Sequence, residues 1–442
     1  MRGLLLFLIA LGQLLVLTPA KAETRCEKCS VVIVAIDAWG MSPDPESKEF
    51  AETAPRLTAF LKQSVFFRQA ISASSWTFPS FFSLLSGSYP SFHGMTNHFE
   101  SYTPEKKVTR TLRKTSPHLL LASDFFRSQG YRTGAFTGGA ALSQKYGYAQ
   151  GFGKFYQTRD FGGLEKSGAE ALRWIRAQRR QPFFAFVHTY DLHGQGPTNP
   201  AGKPGVAAYV SQREGTLSRK GKALNAASAA EWAAWHRVKL AETDAKFGAF
   251  LNELDKIAAP EKVVVALVSD HGSELLEHGG IGHGHSLYEE LIRVPLAIRA
   301  PGIAAGKVSE QVSTVDIFPT LAGLSGAGDP KDAPGFAAQL QGESQAAAMR
   351  LLKAVPRDVF SETEYRDSAF KTAVRTSDGW KYIFDLLENK EELYLLAADP
   401  GEKNDLSTDP KHDAILVSLR EKVALFRKKY STLRFSKKKA EP

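Results

Sequence analysis

Three short runs constrain this chain more than anything else in it. Ser30–Ile36 reads Ser-Val-Val-Ile-Val-Ala-Ile, Phe183–Val187 reads Phe-Phe-Ala-Phe-Val, and Val263–Val268 reads Val-Val-Val-Ala-Leu-Val. β-Branched and aromatic residues with no polar alternation describe strands covered on both faces, as in a parallel sheet flanked by helices. Helical patterns separate them, over about 48–62, 81–85, 119–129, 164–178 and 238–256, and further strand candidates stand at Arg132–Thr137 and Val294–Ile298. The alternation predicts an α/β fold with a mostly parallel central sheet flanked by helices. Residues 198–230, rich in Gly, Ala, Ser and Lys, break the pattern and read as an insertion or flap near the site. The Gly/Ala/Pro-rich stretch 323–347 reads as a linker. Beyond it, strand patterns over Val359–Phe384 and a helical one over Asp413–Lys428 suggest a smaller α+β unit. The expected division is a catalytic domain over 23–330 and a C-terminal domain with a basic tail over 331–442.

Residues 1–22 are expected to be a secretory leader. Arg2 gives a positive start, Leu4–Leu17 a nearly continuous apolar run, and Ala20-Lys21-Ala22 the small-x-small pattern that precedes cleavage, here before Glu23. The run is shorter than the ~20 residues a spanning helix needs; an uncleaved anchor is the alternative. A mature protein in a bacterial periplasm or outside the cell is expected. In that oxidising setting Cys26 and Cys29 read as a small disulfide loop. Two cysteines are too few for a disulfide-built scaffold or a structural zinc module. At 43% hydrophobic and 23% charged residues the composition excludes a disordered tail or a collagen-like fibre. The net charge of +9, from 56 Lys+Arg against 47 Asp+Glu, is partly concentrated in Lys428, Lys429, Arg434 and Lys437–Lys439. This tail reads as a solvated end or as a peripheral contact with an anionic envelope surface. Nothing in the chain resembles a nucleic-acid module.

In an open α/β sheet, ligands bind beyond the carboxyl ends of the strands. The first run leads into Asp37, the second into His188 with Asp191 and His193 close behind, and the third into Asp270-His271. Three such coincidences predict one metal- and anion-competent site at one edge of the sheet. Thr77 precedes a helix that starts near Pro79, a residue favoured in a first turn. Two readings of Thr77 follow. It is an N-cap, or it is a nucleophile. A helix N-terminus offers free N–H groups and partial positive charge to a phosphate or sulfate. A hydroxyl held there beside a divalent metal can ionise and attack in line.

Together these pieces resemble the alkaline phosphatase superfamily, specifically its sulfatase-like branch, over most of the chain. Val34-Ala35-Ile36-Asp37 looks like the opening strand and first metal aspartate, and Ala54-Pro55-Arg56-Leu57 like the helix after it. Thr77-Phe78-Pro79-Ser80, Leu84–Pro90 and His93-Gly94 look like the nucleophile signature and its tail. Asp270-His271-Gly272, Glu277-His278-Gly279, Gly282-His283-Gly284 and Arg293-Val294-Pro295-Leu296 are similar to the second metal segment, and Glu392-Leu393-Tyr394 with Asp399–Glu402 to the C-terminal part. The resemblance implies that Asp37, Asp270 and His271 bind metal, with Thr77 facing it as nucleophile. It implies that His283, His193 and His188 hold the anionic ester substrate, and that His283 and His193 protonate the leaving group. His278 and His285 would be loop or supporting residues. One divalent ion is expected; calcium, magnesium, manganese and zinc all suit these ligands, and the histidine favours zinc or manganese.

The chain also departs from the pattern. Thr77 stands where a sulfatase carries the cysteine or serine that becomes formylglycine, Phe81 where a catalytic arginine is expected, Ala38 where the first aspartate has a second beside it, and Ser273 where a glutamate follows Asp-His-Gly. A formylglycine hydrate expels sulfate by losing its second proton. Threonine has no such exit, whereas phosphothreonine is hydrolysed by the superfamily's ordinary metal-assisted route. The expected function is hydrolysis of a phosphate mono- or diester, or of a sulfate ester, through a covalent Thr77 intermediate. The alternatives are a sulfuric ester hydrolase proper and a degenerate, non-catalytic member that binds an anionic glycan or lipid headgroup.

Overall fold

The computed structural model describes residues 26–96, 118–178, 180–193, 226–365 and 369–438. Its strands are β1 Ser30–Ile36, β2 Val65–Ile71, β3 Arg132–Thr137, β4 Lys154–Gln157, β5 Phe183–Thr189, β6 Val263–Val268, β7 Glu274–Leu275, β8 Ile281–Gly282, β9 Arg293–Arg299, β10 Gly306–Val308, β11 Val312–Ser313, β12 Val359–Tyr365, β13 Ala369–Arg375, β14 Trp380–Asp385 and β15 Lys390–Leu395. Among the described residues nine strands form the central sheet in the order β10-β2-β9-β6-β1-β5-β3-β4, with β11 also on β2. Pairing is parallel from β6 through β1, β5 and β3 to β4. Only β9 runs against its neighbours β6 and β2. The sheet is therefore mostly parallel, as expected.

The unalternating runs have a direct cause. In β1, Val31, Ile33 and Ala35 pack into one core with Phe81, Phe82 and Phe186. Val32, Val34 and Ile36 pack into the other, with Phe50, Leu57 and Phe247. Every position of β1, β5 and β6 is buried, so apolar side chains are favoured on both faces.

A second sheet, β12-β13-β14-β15, is an antiparallel meander. Alternate residues of it face two ways. Val359, Ala373, Ile383 and Tyr394 pack on Leu287, Leu291 and Ile292. Val374, Tyr382 and Leu393 pack on Leu416, Leu419 and Val423 of the helix Asp413–Lys438. Cys26 and Cys29 are joined as a disulfide. Among the described residues no helix is long and apolar enough to cross a membrane.

Three expectations need correction or limits. The helix expected over 48–62 is two, Lys48–Thr53 and Pro55–Lys62, because Pro55 disfavours a helical residue before it and Ala54 turns out of the helix at φ −131°. The last residues of the expected insertion over 198–230 lie in the helix Ala226–Ile257; its part over 198–225, and the leader over 1–22, lie outside the described residues. The expected linker over 323–347 is a packed strap. Its start belongs to the helix Ile317–Ser325. Phe336 is buried against Phe125 and Phe318, and the Gln341 and Gly342 N–H groups donate to the Gly87 carbonyl at 2.8 and 3.0 Å. Its small residues permit close approach: a Cβ on Gly342 would run into the Val315 carbonyl. Gly342→Ala should therefore lower unfolding stability by about 1–3 kcal/mol. An unchanged denaturation midpoint would show that the strap is not held there.

Candidate active site

Parallel strands in register end at the same edge. Ala35 of β1 pairs with Val268 of β6, and Ile36 with Thr189 of β5, so the residues that follow these strands meet in space. Asp37 extends the ladder by donating its N–H to the Thr189 carbonyl at 3.0 Å. Asp270 is fixed from two sides. Its Oδ1 accepts the Ala38 N–H at 3.2 Å, and its carbonyl accepts the Ser72 hydroxyl. Asp37, Asp270 and His271 each offer a ligand atom, all within 4.8 Å of one another, and all three are buried.

Thr77 reaches the same point from the other side of the sheet edge. It is the first residue of the helix Thr77–Ser86; Trp76 is the cap, without a side-chain capping bond. The Thr77 hydroxyl lies instead 3.2 Å from His271 Nε2. The N-cap reading is thus not what the structure shows. Sequence places the helix start near Pro79; it lies at Thr77 itself.

The protonation pattern follows from the partners. His271 Nδ1 stands 2.7 Å from the Gly272 carbonyl, which only an N–H can satisfy. Burial lowers its pKa to about 4, so the ring is neutral and Nε2 carries a lone pair. That lone pair faces Asp270 Oδ2 at 3.3 Å and Asp37 Oδ1 at 4.0 Å. Among the described residues neither of these oxygens has a hydrogen-bond donor. Burial, and then the charge of Asp37, push the Asp270 carboxyl well above its ordinary value. Burial raises Asp37 too, but the His188 hydrogen bond and the nearby imidazoles outweigh it and leave Asp37 below its ordinary value. Buried acceptors that face one another are unfavourable unless something positive lies between them. Two carboxylates, one imidazole and one hydroxyl are a donor set that suits a divalent cation.

The other expected site residues fall into two groups. His193 is 7% exposed with Nε2 4.0 Å from Asp37 Oδ1, and its ring centroid lies 5.4 Å from that of His283. His283 in turn lies 4.4 Å from His271. Both border the candidate cation site formed by Asp37, Asp270 and His271. His188 does not. Its side chain is fully buried, its Nδ1 accepts the Gly138 N–H at 3.3 Å, and its Nε2 donates to Asp37 Oδ2 at 3.3 Å. With both nitrogens engaged inside the protein, His188 orients Asp37 instead of touching substrate. Asp191 is drawn away as well, to Lys246 and the Leu164 N–H.

Two wall residues carry no signal in the sequence. Tyr365, at the end of β12, sits 5.2 Å from Trp76 and 6.1 Å from His283. Gly284 makes room for it, with φ +88° and a Cβ that would come 2.7 Å from the Tyr365 ring. Phe161 stacks on His193 at 5.2 Å. Neither belongs to a local motif.

A second cluster tests whether proximity alone defines an ion site. Glu274, His278 and Glu290 also lie within 4.8 Å of one another. Here protein neighbours satisfy the groups. His278 is clamped between Glu290 at 2.6 Å and the Glu402 carbonyl at 3.0 Å. Glu274 accepts the His278 and Gly280 N–H groups and pairs with His285 at 2.5 Å. This cluster braces the loop that presents His283, so His278 and His285 support it.

Comparison with known proteins agrees with this geometry. The family profile described as Sulfatase matches residues 30–327, well over half of the chain. The chain belongs to the sulfatase family. A further profile, N-sulphoglucosamine sulphohydrolase, C-terminal, matches residues 277–429 of this sulfatase-family chain. Arylsulfatase K of Mus musculus is 31% identical over 180 residues, 40% of this chain and 32% of that protein. The chain thus spans about a third of the length of such curated relatives. A protein solved in complex with its substrate D-glucosamine-2-N,6-O-disulfate shares the fold at TM-score 0.72 and 17% identity, covering 92% of this chain and 99% of that one. The phosphonate monoester hydrolase of Agrobacterium radiobacter does so at TM-score 0.69 and 17% identity, covering 91% of this chain and 96% of that one.

A cation held at this point should stabilise the fold. At a hundredfold excess over its Kd, manganese, zinc or calcium should add about 2.7 kcal/mol, read as a rise in Tm. Asp37→Asn and Asp270→Asn should abolish the rise and Glu290→Gln should keep it. The opposite ranking would move the ion to the second cluster.

Proposed function

We propose that this chain is an exported, metal-dependent hydrolase that cleaves a phosphate or sulfate ester through a covalent Thr77 intermediate. One observation carries the reading. Thr77 Oγ1 is held at the start of a buried helix, 3.2 Å from His271 Nε2 and beside two carboxylate oxygens that lack donors among the described residues. A divalent cation bound by Asp37, Asp270 and His271 would lower the proton affinity of that hydroxyl and offset the charge of the ester.

The residues of the chain do the rest. The first-turn N–H groups of the Thr77–Ser86 helix supply donors and partial positive charge where the anionic ester docks. Thr77 releases its proton to solvent. The bond from Oγ1 to phosphorus or sulfur forms as the bond to the leaving-group oxygen breaks, and His283 or His193 gives that oxygen a proton. Water then attacks the phosphorus or sulfur and gives a proton to the histidine that lost one, the bond to Oγ1 breaks, and Thr77 regains a proton from solvent. His188 keeps Asp37 aimed throughout.

Phosphorus is the first reading, because water resolves phosphothreonine at phosphorus while threonine sulfate lacks the elimination open to formylglycine. Sulfate esters are the second, favoured by the sulfatase profile over residues 30–327. The likeness to proteins acting on a sulfated amino sugar and on phosphonate monoesters supports an anionic ester as substrate. Aryl phosphate, bis-aryl phosphate, phosphonate and sulfate esters, each with manganese, zinc and calcium, separate these. Thr77→Ala should lose at least ~10³-fold in kcat with its Tm retained, and acid-quenched wild-type protein should carry one phosphoryl or sulfuryl group on Thr77. Full activity of Thr77→Ala would end the reading. Binding of an anionic glycan without turnover of any ester would favour a non-catalytic member.

Export rests on the leader pattern of residues 1–22. N-terminal sequencing of the protein from a bacterial periplasm should begin at Glu23; a chain that retains Met1 would place it otherwise.

A further inference from the structure

Phe161 is 40% exposed, and its ring lies against that of His193. Its backbone sits at φ +36°, a region that non-glycine residues rarely occupy. The turn around it is tightly held. The Thr158 hydroxyl donates to the Gly138 carbonyl at 2.6 Å, the Gly162 N–H to the same carbonyl at 2.8 Å, and the Tyr190 N–H to the Gly162 carbonyl at 3.1 Å. Gly162 and Gly163 allow this approach, since a Cβ on either would collide with Thr158 or Asp191. Phe161 is therefore projected by a rigid turn.

What it faces is a line of rings leading out from the ion position. His271 meets His283 at 4.4 Å, His283 meets His193 at 5.4 Å, and His193 meets Phe161 at 5.2 Å with the planes 30° apart. Tyr190 supports the Phe161 ring edge-on at 5.0 Å. A leaving group protonated by His193 or His283 must lie alongside this line, with Phe161 at its outer end.

We propose that Phe161 is the specificity-determining wall of the leaving-group subsite and that it takes the flat face of a ring, whether aromatic or the C–H face of a pyranose. This rests on the esterase reading of Thr77. Ring faces stack on phenylalanine, and an acyclic leaving group gains little there.

The test uses the full chain loaded with the cation that raises its Tm. Phenyl, hexopyranosyl and methyl esters of one acid are compared for kcat/KM. Phe161→Ala should lower the two ring esters about three- to tenfold, chiefly through KM, and leave the methyl ester within about twofold. Phe161→Gly, suited to the left-handed backbone, should repeat the loss with Tm unchanged or raised; Phe161→Tyr should restore the ring preference. A loss on the phenyl ester alone assigns the wall to aromatic groups, and an equal loss on both ring esters assigns it to either kind of ring. Equal losses on all three esters, or none, would overturn the proposal. Binding separates this from failure of the parent reading. Phenylphosphonate should bind wild type more tightly than methylphosphonate, and Phe161→Ala should erase the difference. Equal binding of the two phosphonates to wild type rejects the wall even where no ester turns over. A difference erased by Phe161→Ala without turnover keeps the wall and rejects the chemistry.

Discussion

Asp37 and Asp270 stand side by side, both buried, and most of the site's architecture serves that juxtaposition. Each follows a central strand, and β1 and β6 are adjacent and parallel. The ladder that makes the sheet therefore forces the two carboxylates together. Burying like charges costs several kcal/mol unless they are compensated. The cost is visible in their opposite responses: Asp270 is driven toward its protonated form, and Asp37 is kept ionised by His188, His193 and His271. A protein stabilised only by packing would place valine at both positions, as it does along much of both strands.

The second sheet is tied to this point through backbone atoms. The Ser361 hydroxyl donates to the Ser72 carbonyl at 2.6 Å, and the Ser72 hydroxyl reaches the Asp270 carbonyl. The Glu362 N–H donates to the Ala73 carbonyl at 2.9 Å, just ahead of Thr77. The Thr363 hydroxyl donates to the Gly284 carbonyl at 2.7 Å, just after His283. Strand β12 thus grips both the segment that leads into Thr77 and the loop that carries His283. Residues from opposite ends of the chain are held to one geometry by three contacts on a single strand.

The same contacts decide what the sequence discloses and what it withholds. β1 and β6 are legible to the residue, since burial on both faces leaves an unbroken apolar run. Asp37, Asp270 and His271 stand out because a polar side chain just beyond a buried strand is costly unless something compensates it, whereas Thr77 suits a helix cap equally well and stands out only through the family resemblance. The strap over 323–347 reads as a linker because the glycines that permit backbone contact with Val315 and Cys26 look like those of a flexible tether. His188 reads as a substrate contact because sequence places it beyond a strand but does not say on which side of Asp37 its ring lies. Phe161 and Tyr365 are silent because their roles depend on a positive φ and on a sheet far away in the chain, neither of which has a residue pattern.

The two departures at Ala38 and Phe81 also fit this geometry. Relative to the sulfatase pattern, they remove one carboxylate and one guanidinium, so these two changes cancel in formal charge. Neutral groups take up both places. The Ala38 N–H, turned inward by φ +57°, donates to Asp270 Oδ1. The Phe81 ring packs edge-on against His188 at 5.1 Å, and His188 holds Asp37 Oδ2. An ion pair in a dry site is weak support for stability, and its replacement by a fitted apolar group is often neutral or favourable. What would change, in the proposed reaction, is the reagent that meets the anionic ester. Guanidinium binds an oxyanion but holds its proton at every working pH, whereas imidazole can both bind and give a proton up. In the proposed reaction, without a guanidinium, His193, His283 and the helix N-terminus would be left to meet the ester. The proposed threonine cycle would need that kind of partner, because each half of it would end with an oxygen that must be protonated.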